Sequence, residues 1–372
     1  MQFLTHDLAN EMVERTMKIL NQNINVMNNE GVIIGSGESE RINQIHDGAL
    51  LVLQKGESVE IDSSKAREMK GAKPGINLPI RFSNQIVGVI GITGEPEDIQ
   101  HYAQLVKMAA ELVLEQSFLL ERVQWKQRMQ SEIVNQLISE EQVNEERTKE
   151  RAAMLGINLE KPRTAFLLKP LNSDEMSNQT LTRLVQYEME NTDLVGITFN
   201  NDVVVLKETG AVLSKERYTI LSKRLQKAAG NDVLIGWGQP AKNLNEIKLS
   251  FTQAKRAIQI GYKLRPALRY YDYEEFQLEI LLFKLVQDQH EQQSFDFYEP
   301  LLDQGRKGEL TDTLEAYFRE GGELNKIAES LFIHRNTLRY RLDKIKELTG
   351  KDPRNVKDLI QLYMASLLHD IQ

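Results

Sequence analysis

Between Pro96 and Gly156 the chain carries neither proline nor glycine, and from Gln100 onward the residues are long-chained, charged and helix-forming. Such a run is read as an extended helix pair, and it splits the 372-residue chain into a part before it and a part after it. Within it Leu112, Leu119, Val123, Ile133 and Leu137 fall on a partly heptad stripe that Lys126 and Gln130 interrupt. Two readings stand at this point: an amphipathic helix packed on its own domain, or a signalling helix that pairs with a second copy of the chain.

Ahead of the helices, Leu4 to Asn21 has helical apolar spacing, and Ile24–Met27 and Val32–Ile34 flank the turn residues Asn28 to Gly31. Asn77–Ile80 and Ile86–Ile92 flank Asn84-Gln85 in the same way. A small antiparallel sheet with flanking helices is expected. Behind the helices, Thr164–Leu168, Leu194–Phe199, Val203–Leu206 and Val233–Trp237 read as strands, alternating with helices at Ser214–Ala229 and Phe251–Gly261. From Tyr273 the chain reads as helical to its end, punctuated at Gly305–Gly308 and Gly321-Gly322.

The last part holds the sharpest signal. Glu323 to Leu331 predicts a short helix with Leu324, Ile327, Ala328 and Leu331 inward, Phe332 to His334 a tight connection, and Arg335 to Leu348 a helix buried through Leu338, Leu342 and Ile345. Helix, three-residue turn and basic helix is the helix-turn-helix layout. From Leu331 to Lys351 six cations (Arg335, Arg339, Arg341, Lys344, Lys346, Lys351) stand against two anions, Asp343 and Glu347, in a chain of net charge -8. That local contrast points to a polyanion. Arg335, Asn336 and Thr337 occupy the first turn, where side chains and open N–H groups meet base edges and phosphates, and Arg339, Tyr340 and Lys344 follow the groove wall. His334 is read as a turn residue.

Other classes lose ground on composition. The absence of cysteine removes disulfides, thiolate metal sites and cysteine nucleophiles. Six scattered histidines show no ligand spacing, so no metal and no cofactor is expected. Gly35-Ser36-Gly37 lacks the third glycine of a dinucleotide loop, since Glu40 stands there. No apolar run approaches the roughly 20 residues that span a bilayer, and a cytoplasmic protein without membrane partners is expected.

The segment Glu323 to Gly350, with its run His334-Arg335-Asn336-Thr337-Leu338-Arg339-Tyr340-Arg341-Leu342, resembles the C-terminal helix-turn-helix of the PucR and CdaR regulators. The first third is similar to the sugar-diacid recognition domain of the CdaR family. That likeness rests on Asn23–Met27, Ile34–Gly37, Arg41-Ile42, His46–Ala49, Lys73–Ile80 and Val87–Gly94. Residues 157–268 resemble the GGDEF-like domain of the same regulators, in Val233–Gly238 and Ser250–Ala257. The architecture implied is multidomain α/β plus all-α. A PAS- or Cache-like sensor with its signalling helix spans 1–135, a degenerate GGDEF-like domain 136–270, and a helical domain 271–372 with the helix-turn-helix at about 309–350. The function implied is ligand-responsive transcriptional control of genes that use glucarate, galactarate or glycerate, with operator DNA, the effector and a second copy as partners. The alternatives are a PucR-like regulator of purine, allantoin or other metabolism, and, with less behind it, a nucleotide-processing GGDEF-type enzyme.

Read from the residues, Arg41, His46 and Lys73 can supply charge to a carboxylate, and Ser36, Asn77 and Thr93 can meet hydroxyls. Lys73-Pro74-Gly75-Ile76-Asn77 suggests an anion-binding concavity built from the N–H groups of Gly75 and Ile76. At the position of the metal-binding hairpin of active cyclases the chain has Asn200-Asn201-Asp202, too few carboxylates for two-metal phosphoryl chemistry, so no enzymatic activity is expected.

Overall fold

The computed structural model describes residues 4–20, 22–69, 72–139, 144–171, 178–209, 215–230, 232–285, 293–304 and 308–371, in two compact units, 1–126 and 127–372. Asn21, Ser214 and Gly305, which bound three of the expected segments, lie outside the described residues.

The first unit runs α1 (His6–Met17), β1 (Ile24–Met27), β2 (Ile33–Ser36), a 3₁₀ turn at Ser39–Arg41, α2 (Asp47–Lys55), β3 (Val59–Ile61), α3 (Ser63–Ala66), β4 (Gly75–Phe82) and β5 (Gln85–Thr93). Its strands form one antiparallel sheet in the order β2-β1-β5-β4-β3. Both expected hairpins are present. The second turns one residue earlier than read: Ser83 and Asn84 take φ of 46° and 67°, the mirror-image turn that suits strand twist, and Gln85 already belongs to β5. Both faces of the sheet are covered, which explains continuous apolar runs such as Val87 to Ile92. Ile24, Val26, Ile76, Leu78, Ile90 and Ile92 pack against α1 and the start of the long helix α4 (Pro96–Ile138). Met27, Ile33 and Val89 pack against Ala49 and Val52 of α2 on the other face.

Helix α4 is unbroken over 43 residues, about 64 Å at 1.5 Å per residue. Its apolar stripe divides in two. Leu112, Leu119 and Val123 are 56%, 59% and 53% exposed, whereas Ile133 and Leu137 are sealed in the core of the second unit. The last turns of α4 serve the second core, and the two compact units therefore divide at 126/127, within the helix.

The second unit continues with α5 (Glu145–Met154), β6 (Arg163–Pro170), α6 (Asn178–Glu188), β7 (Leu194–Ile197), β8 (Val203–Glu208), α7 (Lys215–Ala229), β9 (Val233–Trp237), α8 (Leu244–Leu264) and β10 (Tyr270–Asp272). The sheet order is β10-β9-β6-β8-β7, antiparallel except for β10 beside β9. Helices α6 and α7 cover one face through Leu181, Val185 and Leu225, and α8 covers the other through Ala254, Ala257 and Ile258. A Cβ on Gly236 would stand 2.5 Å from the Ala254 carbonyl oxygen, so glycine lets α8 lie directly on β9. Helix α8 starts earlier than read because Asn243 caps it, accepting from the Glu246 N–H at 3.2 Å.

The chain then forms α9 (Gln277–Leu285), α10 (Glu299–Gln304), α11 (Glu309–Arg319), α12 (Leu324–Ser330), α13 (Arg335–Thr349) and α14 (Val356–Ile371). Leu367 and Ile371 of α14 join the core under α8, and Tyr363 donates to Glu279 at 3.1 Å. No helix among the described residues is long and apolar enough to cross a membrane.

Candidate effector and nucleic-acid sites

In an antiparallel sheet, directly paired residues project from the same face. Asn77 pairs with Gly91, Gly91 with Asn25, and Asn25 with Ser36, so these four make a row across β4, β5, β1 and β2 on the α2 side. Thr93 lies two residues beyond Gly91 on the same face. Asn25 is 2% exposed; its Oδ1 accepts from Ser36 Oγ at 2.7 Å and its Nδ2 reaches Thr93 Oγ1 at 3.5 Å. Asn77 is 3% exposed, and no described residue hydrogen-bonds its side-chain amide. A Cβ on Gly91 would sit 2.7 Å from Asn77 Oδ1, so the glycine leaves the notch over which that amide leans.

The N-terminus of α2 closes over this row. A Cβ on Gly48 would come within 3.0 Å of Asn77 Nδ2 and 2.9 Å of His46 Cε1. His46 is 4% exposed and caps α2, its Nδ1 accepting from the Ala49 N–H at 3.3 Å. Burial, helped by the charge of Arg41, pulls the His46 pKa down to about 4. The ring is neutral at ordinary pH, and because Nδ1 accepts, its proton sits on Nε2. Arg41 is 8% exposed; burial lowers its pKa and Glu38 opposes the shift. The Gly48 N–H donates to no described group. A buried arginine, an open helix N-terminus and an uncommitted amide make a corner suited to a carboxylate.

The structure thus brings together Ser36, Arg41, His46, Asn77 and Thr93; the other three candidates lie beside them, Gly75 paired directly with Thr93, but in other roles. Lys73 is exposed and held by Glu38 at 2.7 and 2.8 Å. Gly75 and Ile76 lie inside β4, paired with β3 and β5 on either side, so their backbone belongs to the ladder and not to an anion-binding turn. A Cβ on Gly75 would fall 2.3 Å from the Ile92 carbonyl oxygen; close strand approach accounts for this glycine. The Ile76 side chain belongs to the core on the opposite face. Asn25 and Gly48 escaped the sequence reading, although a polar residue inside the apolar strand Ile24–Met27 was a visible signal.

In the second unit, α11, α12 and α13 pack around Leu314, Ile327, Leu338, Leu342 and Ile345. Leu324, expected inward, is 42% exposed, because α12 begins there and its first turn faces out. His334 caps α13, its Nδ1 accepting from the Asn336 N–H at 3.3 Å. Arg335, Asn336, Thr337, Arg339 and Tyr340 are all exposed. Four cations near this face are already engaged: Arg341 with Glu309 at 3.1 Å, Lys344 with Glu347 at 2.7 Å, Lys346 with Asp352 at 3.1 Å, and Arg354 with Asp343 at 2.6 Å. Arg335 and Arg339 have no ion pair among the described residues, so the attractive charge concentrates on the first turns of α13.

At the β7–β8 hairpin, Thr198 and Asp202 close the turn and Asn201 takes φ of 62°. Burial raises the Asp202 pKa, opposed by Lys169 and Lys255.

Family models match along the chain: sugar diacid recognition over residues 4–137, GGDEF-like domain over 139–260, and PucR C-terminal helix-turn-helix domain over 310–368. The chain is 36% identical to the carbohydrate diacid regulator of Escherichia coli (strain K12), over 98% of this chain and 97% of that one. It is 37% identical to an uncharacterized protein of Haemophilus influenzae, over 97% and 98% of the two chains. A more distant relative is the proline-responsive transcriptional activator PutR of Bacillus subtilis, 23% identical over 66% of this chain and 63% of its own.

Proposed function

The chain belongs to the carbohydrate diacid regulator family, and we propose that it is an effector-gated transcription regulator whose first unit binds a sugar diacid or hydroxy acid and whose helix-turn-helix binds operator DNA. The observation that carries the effector half is the row Asn77–Gly91–Asn25–Ser36, buried except at half-buried Ser36, beneath the N-terminus of α2. One carboxylate of glucarate, galactarate or glycerate is received by the Gly48 N–H, the Asn77 amide and the field of Arg41; Ser36, Asn25 and Thr93 meet hydroxyls. Charge-assisted hydrogen bonds in such a corner contribute about 1.5–3 kcal/mol each. The sheet order β2-β1-β5-β4-β3 between helices supports the PAS- or Cache-like assignment. Lys73 acts at the rim, where its exchange of Glu38 for the ligand has only a small effect.

Helix α4 runs without a break from the effector unit into the second unit, and the exposed Leu112, Leu119 and Val123 support pairing with α4 of a second copy. The effector favours one packing of that pair by its differential affinity for two arrangements. Paired helix-turn-helix units then read half-sites about one helical turn apart or a multiple of it. The middle domain is a structural element: its hairpin offers Asp202 beside Lys169 and Lys255, where two-metal phosphoryl transfer needs several carboxylates.

Asn77→Leu tests the effector site, since it removes an amide that no described residue uses while keeping the side chain's size. In calorimetry against a panel of glucarate, galactarate, glycerate, glycolate and allantoin, the wild-type chain binds one hydroxy acid and Asn77→Leu loses about tenfold or more in affinity. Unchanged affinity in the variant would rule out this row, and a response to allantoin alone would favour the purine branch.

A further inference from the structure

We propose that Phe332, in the turn of the helix-turn-helix, is a DNA-contacting residue that seats its ring against deoxyribose and thymine methyl groups beside the half-site; the proposal rests on the regulator reading above. Helix α12 ends in a doubly hydrogen-bonded turn, with Ile333 N–H donating to the Ala328 carbonyl at 3.0 Å and Phe332 N–H to the Glu329 carbonyl at 3.1 Å. In that motif the residue after the cap takes a left-handed backbone, and glycine is the usual occupant. Here it is Phe332, at φ 53°. A β-carbon is strained there, and the ring is 96% exposed, so no packing within the chain compensates for it.

A strained, solvent-facing aromatic side chain is explained by what it meets outside the chain. Phe332 lies two residues before the cap of α13, and the exposed residues that follow, Arg335, Asn336 and Thr337, present cations, amide groups and open N–H donors. The neighbouring surface therefore seeks anions, while the ring offers flat apolar area and no charge. Duplex DNA combines phosphates with apolar sugar edges and thymine methyls at this spacing, and it meets both halves of the surface at once.

The test uses the full-length chain and a duplex that the wild-type protein selects from a random-sequence pool. Phe332→Gly and Phe332→Asn both accept a left-handed backbone and both delete the ring. Each is expected to bind that duplex about tenfold more weakly, with an unchanged slope of log affinity against log salt, because no phosphate contact is lost. Their thermal midpoints should equal or exceed that of the wild type, because strain is relieved. Unchanged affinity, a shallower salt slope or a lowered midpoint would each overturn the proposal, and unchanged affinity with lost transcriptional output assigns the ring to a protein partner instead. If Arg335→Ala abolishes binding while Phe332→Gly does not, only the role of Phe332 fails. If the wild-type chain selects no duplex, the DNA reading fails and takes this inference with it.

Discussion

Acid should loosen the first unit through one side chain, His46, whose pKa is about 4 when folded against an ordinary value of 6.5. The unfolded chain binds this proton more tightly than the folded one, so stability rises with pH across that interval and falls as pH drops through 6.5 toward 4. The full gap corresponds to about 3 kcal/mol, and about 2 kcal/mol of it is lost between pH 7.5 and pH 5. Arg41 adds to the depression and Asp47 opposes it. Asp62, held below the ordinary carboxylate range by hydrogen bonds from Ser64 and Lys65, contributes only at still lower pH. His46→Asn keeps a capping acceptor for α2 and removes the titration. In urea titrations of the full chain, read by hydrogen exchange on α2 and β4 peptides, the wild type should lose about 2 kcal/mol more than His46→Asn on going to pH 5. Equal losses in the two proteins would refute the buried neutral imidazole.

Arg335→Ala and Arg339→Ala should each lower operator affinity, with the salt slope smaller by about one where a phosphate contact is lost, and leave effector affinity intact in calorimetry. Leu112→Asp with Leu119→Asp places charges on the exposed stripe of α4 and should shift the chain to monomer in light scattering at micromolar concentration, with effector binding retained. Gly236→Ala drives a Cβ against the Ala254 carbonyl at 2.5 Å and should cost the second unit about 1–3 kcal/mol in denaturant unfolding.

The parts of this fold that were legible in the sequence are those where one local rule dominates. The heptad-like stripe and the lack of breakers specify α4, and the inward spacing of Leu338, Leu342 and Ile345 specifies α13. The hairpins follow from Asn and Gly between apolar runs. What escaped lacks a local signal of its own: β3 has only three residues, α2 carries its apolar residues consecutively from Ala49 to Leu53 so that no helical period shows, and β10 gains its identity from lying beside β9. The same holds for the effector site. His46, Asn77, Ser36 and Thr93 were identifiable by the groups they could offer a hydroxy acid, but only strand register joins Asn77 and Ser36 into a row and brings in Asn25. Gly75 and Ile76 looked like a turn because proline precedes them, and the ladder with β3 and β5 claims their backbone instead. Lys73 illustrates a further limit, since its partner Glu38 is 35 residues away in the chain.

Regulation by this chain requires that its ligand site and its DNA site be coupled. Fluorescence anisotropy of the full-length protein on its selected duplex, titrated at fixed salt with and without a saturating hydroxy acid, measures that coupling directly. The effector should change duplex affinity by at least about fivefold, and saturating duplex should change effector affinity by the same factor. Identical duplex affinity in the presence of an effector shown by calorimetry to be bound would contradict that coupling.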